Sequence, residues 1–584
     1  MKQFFKFAFA GAFGFIIAGF VTTAILISVI VVAVAQMEEP VYPVKPNSVL
    51  QITLEGEITE RSKENPLAGL MSDIKTEGVG LDDILSAIDK AESNENIRGI
   101  LLEMKISEGG MATYEEIRTR LLEFKKSGKF VLAYGDLYSQ KEYFLASVAD
   151  SVLINPIGAI DIKGLGGEPM FFKNALEKLG IEMQIFKVGT YKSAVEPFIN
   201  DKMSDANRAQ VTEYINGIWK HVVKEMSASR HILPDTLNAY ADRGLLFQPA
   251  EQLLKYKLVD KLIYRSDLWD FVKVAAKSDE SEEKDGLVDV KQMNSTEADV
   301  NQSDNVVAVV YAAGAIDDPT EDGINSTELV KELKKIKGDS AVKAVVLRVN
   351  SPGGSAFGSE QIWHLVNEIV KTKPVVISMG DYAASGGYYI ACPASAIVAQ
   401  PTTLTGSIGI FGMFPNVQKL TDKLGLTFDE VATNKFATTP SVNRPMRSDE
   451  KALFQRYIER GYTLFTSRCA AGRRVGVEKI EAVAQGRVWT GEMALKLGLV
   501  DKLGGLETAK TLAASKAKLS DYRIENYPRK KPFLEELFAD MNSEVSASLA
   551  KIYLGENYKH YRFLQSVQKQ YPVQARMPYL IKID

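Results

Sequence analysis

Histidine is scarce in this chain of 584 residues: His221, His231, His364 and His560 are all there are. Most hydrolytic triads take their base from histidine. None of the four lies near the glycine-rich loops of the chain's second half, although a residue distant in sequence can still approach in space; His364 reads as a packing or surface residue of a helix. Cysteine is scarcer still. Cys392 and Cys469 could pair, but two cysteines make no disulfide framework, and neither sits in a CxxC pair, so a zinc site is not expected. A basic excess is also missing. The 70 Lys and Arg are balanced by 74 Asp and Glu, a net charge of −4, which gives no argument for nucleic acid as a partner.

One stretch has no charge at all. Nothing charged occurs between Lys6 and Glu38, a run longer than the ~20 residues that cross a bilayer as a helix. Lys2 and Lys6 before it and Glu38 and Glu39 after it set the expected orientation, with the N-terminus cytoplasmic and the body outside. The expectation is a single-pass anchor in the cytoplasmic (inner) membrane, with residues 1–45 as anchor and juxtamembrane segment and the rest on the periplasmic side. The alternative is a cleaved signal peptide ending near Ala33-Val34-Ala35, although a signal core usually spans only ~7–15 residues.

The remaining chain repeats itself. Residues 97–167 align without a gap on 342–412 at a constant offset of 245: Gly109 on Gly354, Gly135-Asp136 on Gly380-Asp381, Tyr143 on Tyr388, Pro156 on Pro401, Gly164 on Gly409. Leu258–Leu262 recurs as Leu499–Leu503. In each unit short β-branched runs alternate with helical periodicity. In the second these are strands at 344–349, 375–378 and 397–399 and a helix at about 359–370, an α/β pattern. The division expected is a first domain at 46–277, a polar, acidic linker at 278–304, a second domain at 305–520 and a C-terminal tail at 521–584.

Three glycine-punctuated loops succeed strands of the second unit: Asn350-Ser-Pro-Gly-Gly354, Ala384-Ser-Gly-Gly-Tyr388 and Thr405-Gly-Ser-Ile-Gly409. Small residues around Ser385 allow a sharp bend, and the Gly386 N–H could face a reacting carbonyl, with Gly353 and Gly354 as further oxyanion donors. Each loop also has a plain reading: Ser385 as a helix N-cap, Pro352-Gly353 as a turn, Ser407 as a strand-end serine.

Together these motifs resemble the signal peptide peptidase A (protease IV) family, related to Clp protease and crotonase folds. The resemblance to its long, duplicated form covers roughly residues 45–520. It implies two tandem spiral ββα domains and a membrane-anchored serine endopeptidase with a Ser/Lys dyad. It further implies peptide substrates such as signal-peptide remnants, and a homo-oligomer, expected to be a tetramer. No organic cofactor or metal is implied.

Ser385 would be the nucleophile. The base implied is Lys192, in Tyr191-Lys-Ser-Ala-Val-Glu-Pro-Phe198. A solvated lysine titrates near ~10.4, so a lysine base needs burial away from acids. Glu196 is therefore expected to point away. Ser407 would orient the amine. The repeat agrees: Ser385 falls on Gln140 and Ser407 on Ile162, while Lys192 falls near Phe436 and Ala437, so each half carries one part of the dyad. The rival base is Lys435. Rival functions are a crotonase-like acyl-CoA enzyme, which would bind CoA, and a non-catalytic membrane scaffold, which would tolerate loss of Ser385 and Lys192.

Overall fold

The computed structural model describes residues 42–62, 78–296, 301–318 and 323–529, the backbone of 573–576, and helical residues scattered between Lys6 and Thr22. Two α/β units account for most of this. In the first, parallel strands are ordered Val79–Gly80, Ser48–Thr59, Ile97–Glu108, Phe130–Ser139, Ser151–Asp161, Lys261–Leu262, with Leu287–Asp289 also paired to Ser48–Thr59. Both faces are covered. Leu50, Ile52, Leu54, Ile100 and Leu102 pack beneath helices on one side, and Val49, Leu101, Leu132 and Leu153 meet Leu268, Trp269 and Val272 on the other. This is why the strands read as nearly continuous apolar runs.

The second unit repeats the plan. Val306–Ala313, Val342–Ser351, Val375–Ala384 and Ala396–Ala399 are parallel, and the strand Leu404–Gly406 extends the far end of Val375–Ala384. The four segments expected from the sequence of this unit lie inside Val342–Ser351, Ala356–Val370, Val375–Ala384 and Ala396–Ala399. The polar stretch 278–304 carries the strand Leu287–Asp289, whose Leu287 and Val288 are buried on the first sheet. Beyond residue 520, Arg523–Tyr527 runs parallel to Val306–Ala313 as an edge strand of the second sheet.

A third, four-stranded sheet joins the units, ordered Gly353–Ser355, Val573–Arg576, Phe411–Asn416, Glu182–Lys187. Its strand Glu182–Lys187 comes from the first unit and pairs antiparallel with Phe411–Asn416 of the second, Lys187 opposite Phe411. That pairing carries the chain of the first unit toward the loops of the second.

The expected membrane anchor requires correction. Among the described residues no helix is long and apolar enough to cross a membrane. In the charge-free run, only scattered helical residues between Lys6 and Thr22 are described. Residues 23–41 lie outside the described residues. Charge-free composition shows that a segment tolerates lipid; it does not establish a continuous spanning helix. The single-pass topology, with the inner-membrane, periplasmic-side localisation drawn from it and the membrane as a partner, is not supported. What stands is an α/β architecture of two units.

Candidate active site

Ser385 ends the strand Val375–Ala384 and precedes the short helix Gly386–Ala391. Its backbone sits at φ 55°, ψ −113°, a left-handed conformation that costs a residue with a β-carbon of order 1–3 kcal/mol. The ladder holds it there: Ala384 pairs with Gly406, and the Ser385 N–H donates to the Gly406 carbonyl at 2.8 Å. The side chain caps nothing in its helix. Ser407 also has positive φ, 49°, and its N–H donates to the Arg487 carbonyl at 2.7 Å. Two serines in strained turns at adjacent strand ends thus face one spot.

Lys192 reaches that spot from the first unit. Its Nζ lies 2.8 Å from Ser385 Oγ and 3.2 Å from both the Ser407 carbonyl and Ser407 Oγ. Ser385 Oγ in turn donates to the Gly409 carbonyl at 3.4 Å. Lys192, Ser385 and Ser407 are each 0% exposed. Burial alone holds the Lys192 amine well below the usual lysine range, because removing water penalises the charged form. Glu196 does not oppose this. Its carboxylate accepts from Ser204 N–H, Ser204 Oγ and Asn207 Nδ2, at the start of the helix Asp205–Arg230.

The seat of Lys192 was not visible in sequence. The turn Gln485-Gly486 presses on it: a β-carbon at Gly486, where φ is +79°, would stand 2.7 Å from Lys192 Cα, and one at Gly189 would stand 2.4 Å from the Gln485 carbonyl oxygen. Tyr191 N–H donates to that carbonyl at 3.0 Å. Glycine in both chain segments permits the contact, and the only local signal is a pair of isolated glycines 297 positions apart in sequence.

The rival bases lie elsewhere. Lys435 makes an ion pair with Asp449 at 2.7 Å, its side chain 67% exposed. His364 is exposed on the helix Ala356–Val370. His221 Nε2 meets Glu115 at 2.5 Å, and His560 lies outside the described residues.

Around the serine, Gly386 is the first residue of its helix, so its N–H has no acceptor within that helix. The Gly353 N–H donates to Ser351 Oγ at 3.2 Å. Gly353, Gly354 and Ser355 pair antiparallel with Arg576, Ala575 and Gln574, and on the other side Gln574 and Val573 pair with Phe411 and Gly412. An extended segment of the chain therefore lies between Gly353–Ser355 and Phe411–Gly412. Among the described residues no group of histidine, cysteine and carboxylate side chains could hold a metal ion.

Comparison with known proteins adds an independent finding. The model of peptidase family S49 matches residues 123–279 and 367–520. Protease 4 of Salmonella typhi is 37% identical over 494 residues, covering 83% of this chain and 79% of that protein. Protease 4 of Haemophilus influenzae is 38% identical over 440 residues, covering 73% and 71%. The chloroplastic serine protease SPPA of Arabidopsis thaliana is 30% identical over 486 residues, covering 82% and 70%.

Proposed function

The chain belongs to peptidase family S49 and is a serine protease of the Ser/Lys dyad type, and from that premise we propose that Ser385 is its nucleophile and Lys192 its general base. The observation that carries this reading is the 2.8 Å separation of a fully buried amine and a fully buried hydroxyl. A neutral amine has two N–H bonds and one lone pair. Ser407 offers two acceptors, its carbonyl and its Oγ, so both N–H bonds can be used there, and the lone pair is left to take the Ser385 proton once the hydroxyl turns from the Gly409 carbonyl toward Nζ. Ser407 is thus the residue that orients the base.

As Oγ attacks the substrate carbonyl, its proton passes to Lys192 Nζ. The oxyanion is held by the Gly386 N–H and by the Gly353–Gly354 loop, each such donor contributing ~3 kcal/mol to lowering the barrier. The Lys192 ammonium then protonates the leaving amine, and the acyl-enzyme is cleared by water that Lys192 deprotonates. The substrate on this reading is an extended peptide bound by its backbone, as Val573–Arg576 is bound between Gly353–Ser355 and Phe411–Gly412.

A fluorophosphonate probe tests the assignment. Peptide mapping is expected to place the adduct on Ser385, with Ser385→Ala unlabelled. An adduct on another serine of the wild-type chain contradicts it.

A further inference from the structure

The strand that carries Ser385 is irregular just before the serine. Its ladder with Val342–Ser351 runs one for one from Val345 opposite Val375 to Val349 opposite Met379, then resumes at Ser351 opposite Ala383. One residue, Asn350, therefore spans three: Gly380, Asp381 and Tyr382. A bulge of this kind re-aims the strand beyond it, and beyond this one lies Ala384-Ser385.

The Asn350 side chain bridges the gap. Its Oδ1 accepts from the Tyr382 N–H at 3.1 Å, and its Nδ2 donates to Glu60 Oε1 at 2.8 Å. An N–H on one side and a carboxylate on the other fix the orientation of the amide. Glu60 comes just after the strand Ser48–Thr59 of the first unit and is buried. It also accepts from Arg348 Nε at 2.8 Å and Nη2 at 3.2 Å. Arg348 is fully buried and reaches Ser378 Oγ at 3.0 Å and Glu116 at 2.9 Å. Space is tight, for a β-carbon at Gly380 would lie 2.7 Å from Glu60 Oε1 and 2.8 Å from Asn350 Cγ. Asp381 is tied to the first unit as well, by the Thr113 N–H at 3.0 Å and Thr113 Oγ1 at 2.6 Å.

The other copy lacks this device. The corresponding ladder of the first unit stops at Met104 opposite Gly135, and Lys105, at the position of Asn350, extends to Glu55 at 2.9 Å. Of the two units, the one that carries the serine has the bridge.

We propose that Asn350, held by Glu60 of the first unit, is a positioning residue: it fixes the bulge that aims Ser385 and, through Ser351, the glycine loop beside it. This rests on Ser385 being the nucleophile. Asn350→Ala is expected to lower kcat on an unfolded peptide about 10- to 100-fold, with KM within about twofold, the scale of a small misplacement of reacting groups. The rate of fluorophosphonate labelling should fall in step. The pH at which activity is half lost on acidification should stay where it is, because Asn350 touches neither Lys192 nor Ser407. A second pair of variants decides the matter even if that one folds poorly. Asn350→Asp sets a carboxylate against Glu60 and should be similarly impaired; adding Glu60→Gln reverses donor and acceptor and should recover at least about tenfold. Unchanged kcat in Asn350→Ala, or no recovery in the swap, overturns the proposal. If instead the wild type neither cleaves peptide nor labels at Ser385, the assignment of the nucleophile has failed.

Discussion

The two halves of the repeat treat one turn in opposite ways. In the first, Ser139 caps the helix Gln140–Ala146 with ordinary φ, −64°, in a reciprocal pair with Glu142. Gln140, at the position of Ser385, is buried; its Oε1 accepts from the Lys163 and Gly164 N–H groups and its Nε2 donates to the Gly164 carbonyl. Glu142 also takes the Ser107 N–H and hydroxyl. The polar side chains of that turn find their partners within their own unit. In the second half the turn is bent to φ 55°, its serine caps nothing, and Glu142 is replaced by Gly387, which has no side chain to supply. The serine's side chain stands 3.4 Å from the Gly409 carbonyl of its own unit and 2.8 Å from Lys192 of the other. The first turn is satisfied by its own polar side chains; the second leaves its serine facing an amine brought from the other unit.

The largest effect should come from removing the imported partner. Lys192→Ala is expected to lower kcat for peptide hydrolysis about 10³-fold or more, while KM changes little; steady-state kinetics on an unfolded peptide measure both. Ser407→Ala removes one of two hydrogen bonds that orient the amine and should cost about tenfold, the equivalent of ~1.4 kcal/mol. Truncation before Val573 removes the strand lying between Gly353–Ser355 and Phe411–Gly412, and kcat/KM should rise a few-fold as substrate loses an intramolecular competitor. The smallest effect on activity should come from Gln140→Ser, which puts a hydroxyl into the first half. Lys141 Nζ is turned to the Gly109 carbonyl and Lys163 Nζ to Asp161, so no fluorophosphonate adduct should form there, and activity should be unchanged. Loss of the buried amide's hydrogen bonds should lower stability by about 1–3 kcal/mol in denaturant unfolding.

Much of the site was legible because its signals are local. The β-branched runs marked the strands of the second unit, and small residues around Ser385 marked a bend that only a strained turn needs. Lys192 was singled out through the resemblance of the segment around it to a known family, with the asymmetry of the repeat as a check. What the sequence concealed depends on contacts between distant segments: the Gln485-Gly486 turn seated on Lys192, the Glu60–Arg348–Asn350 bridge, and the pairing of Glu182–Lys187 with Phe411–Asn416. No periodicity records which edge strand meets which, or which buried carboxylate receives an arginine. The hydrophobic N-terminal run erred in the other direction, since hydropathy describes composition and leaves helix length and continuity undetermined.

If the first unit supplies an uncharged amine to the serine of the second, the labelling of Ser385 must depend on pH through Lys192. Burial lowers the Lys192 pKa, so the amine is neutral above that lowered value and gains a proton as pH falls through it. The folded chain binds that proton less readily than the unfolded one, so below the ordinary lysine range Lys192 opposes folding, and Lys192→Met should be more stable than wild type at neutral pH. The labelling rate is expected to fall on acidification in the wild type and to be lost in Lys192→Met although that variant is folded. A rate in Lys192→Met equal to that of the wild type, with the same dependence on pH, would mean that Lys192 is not the base.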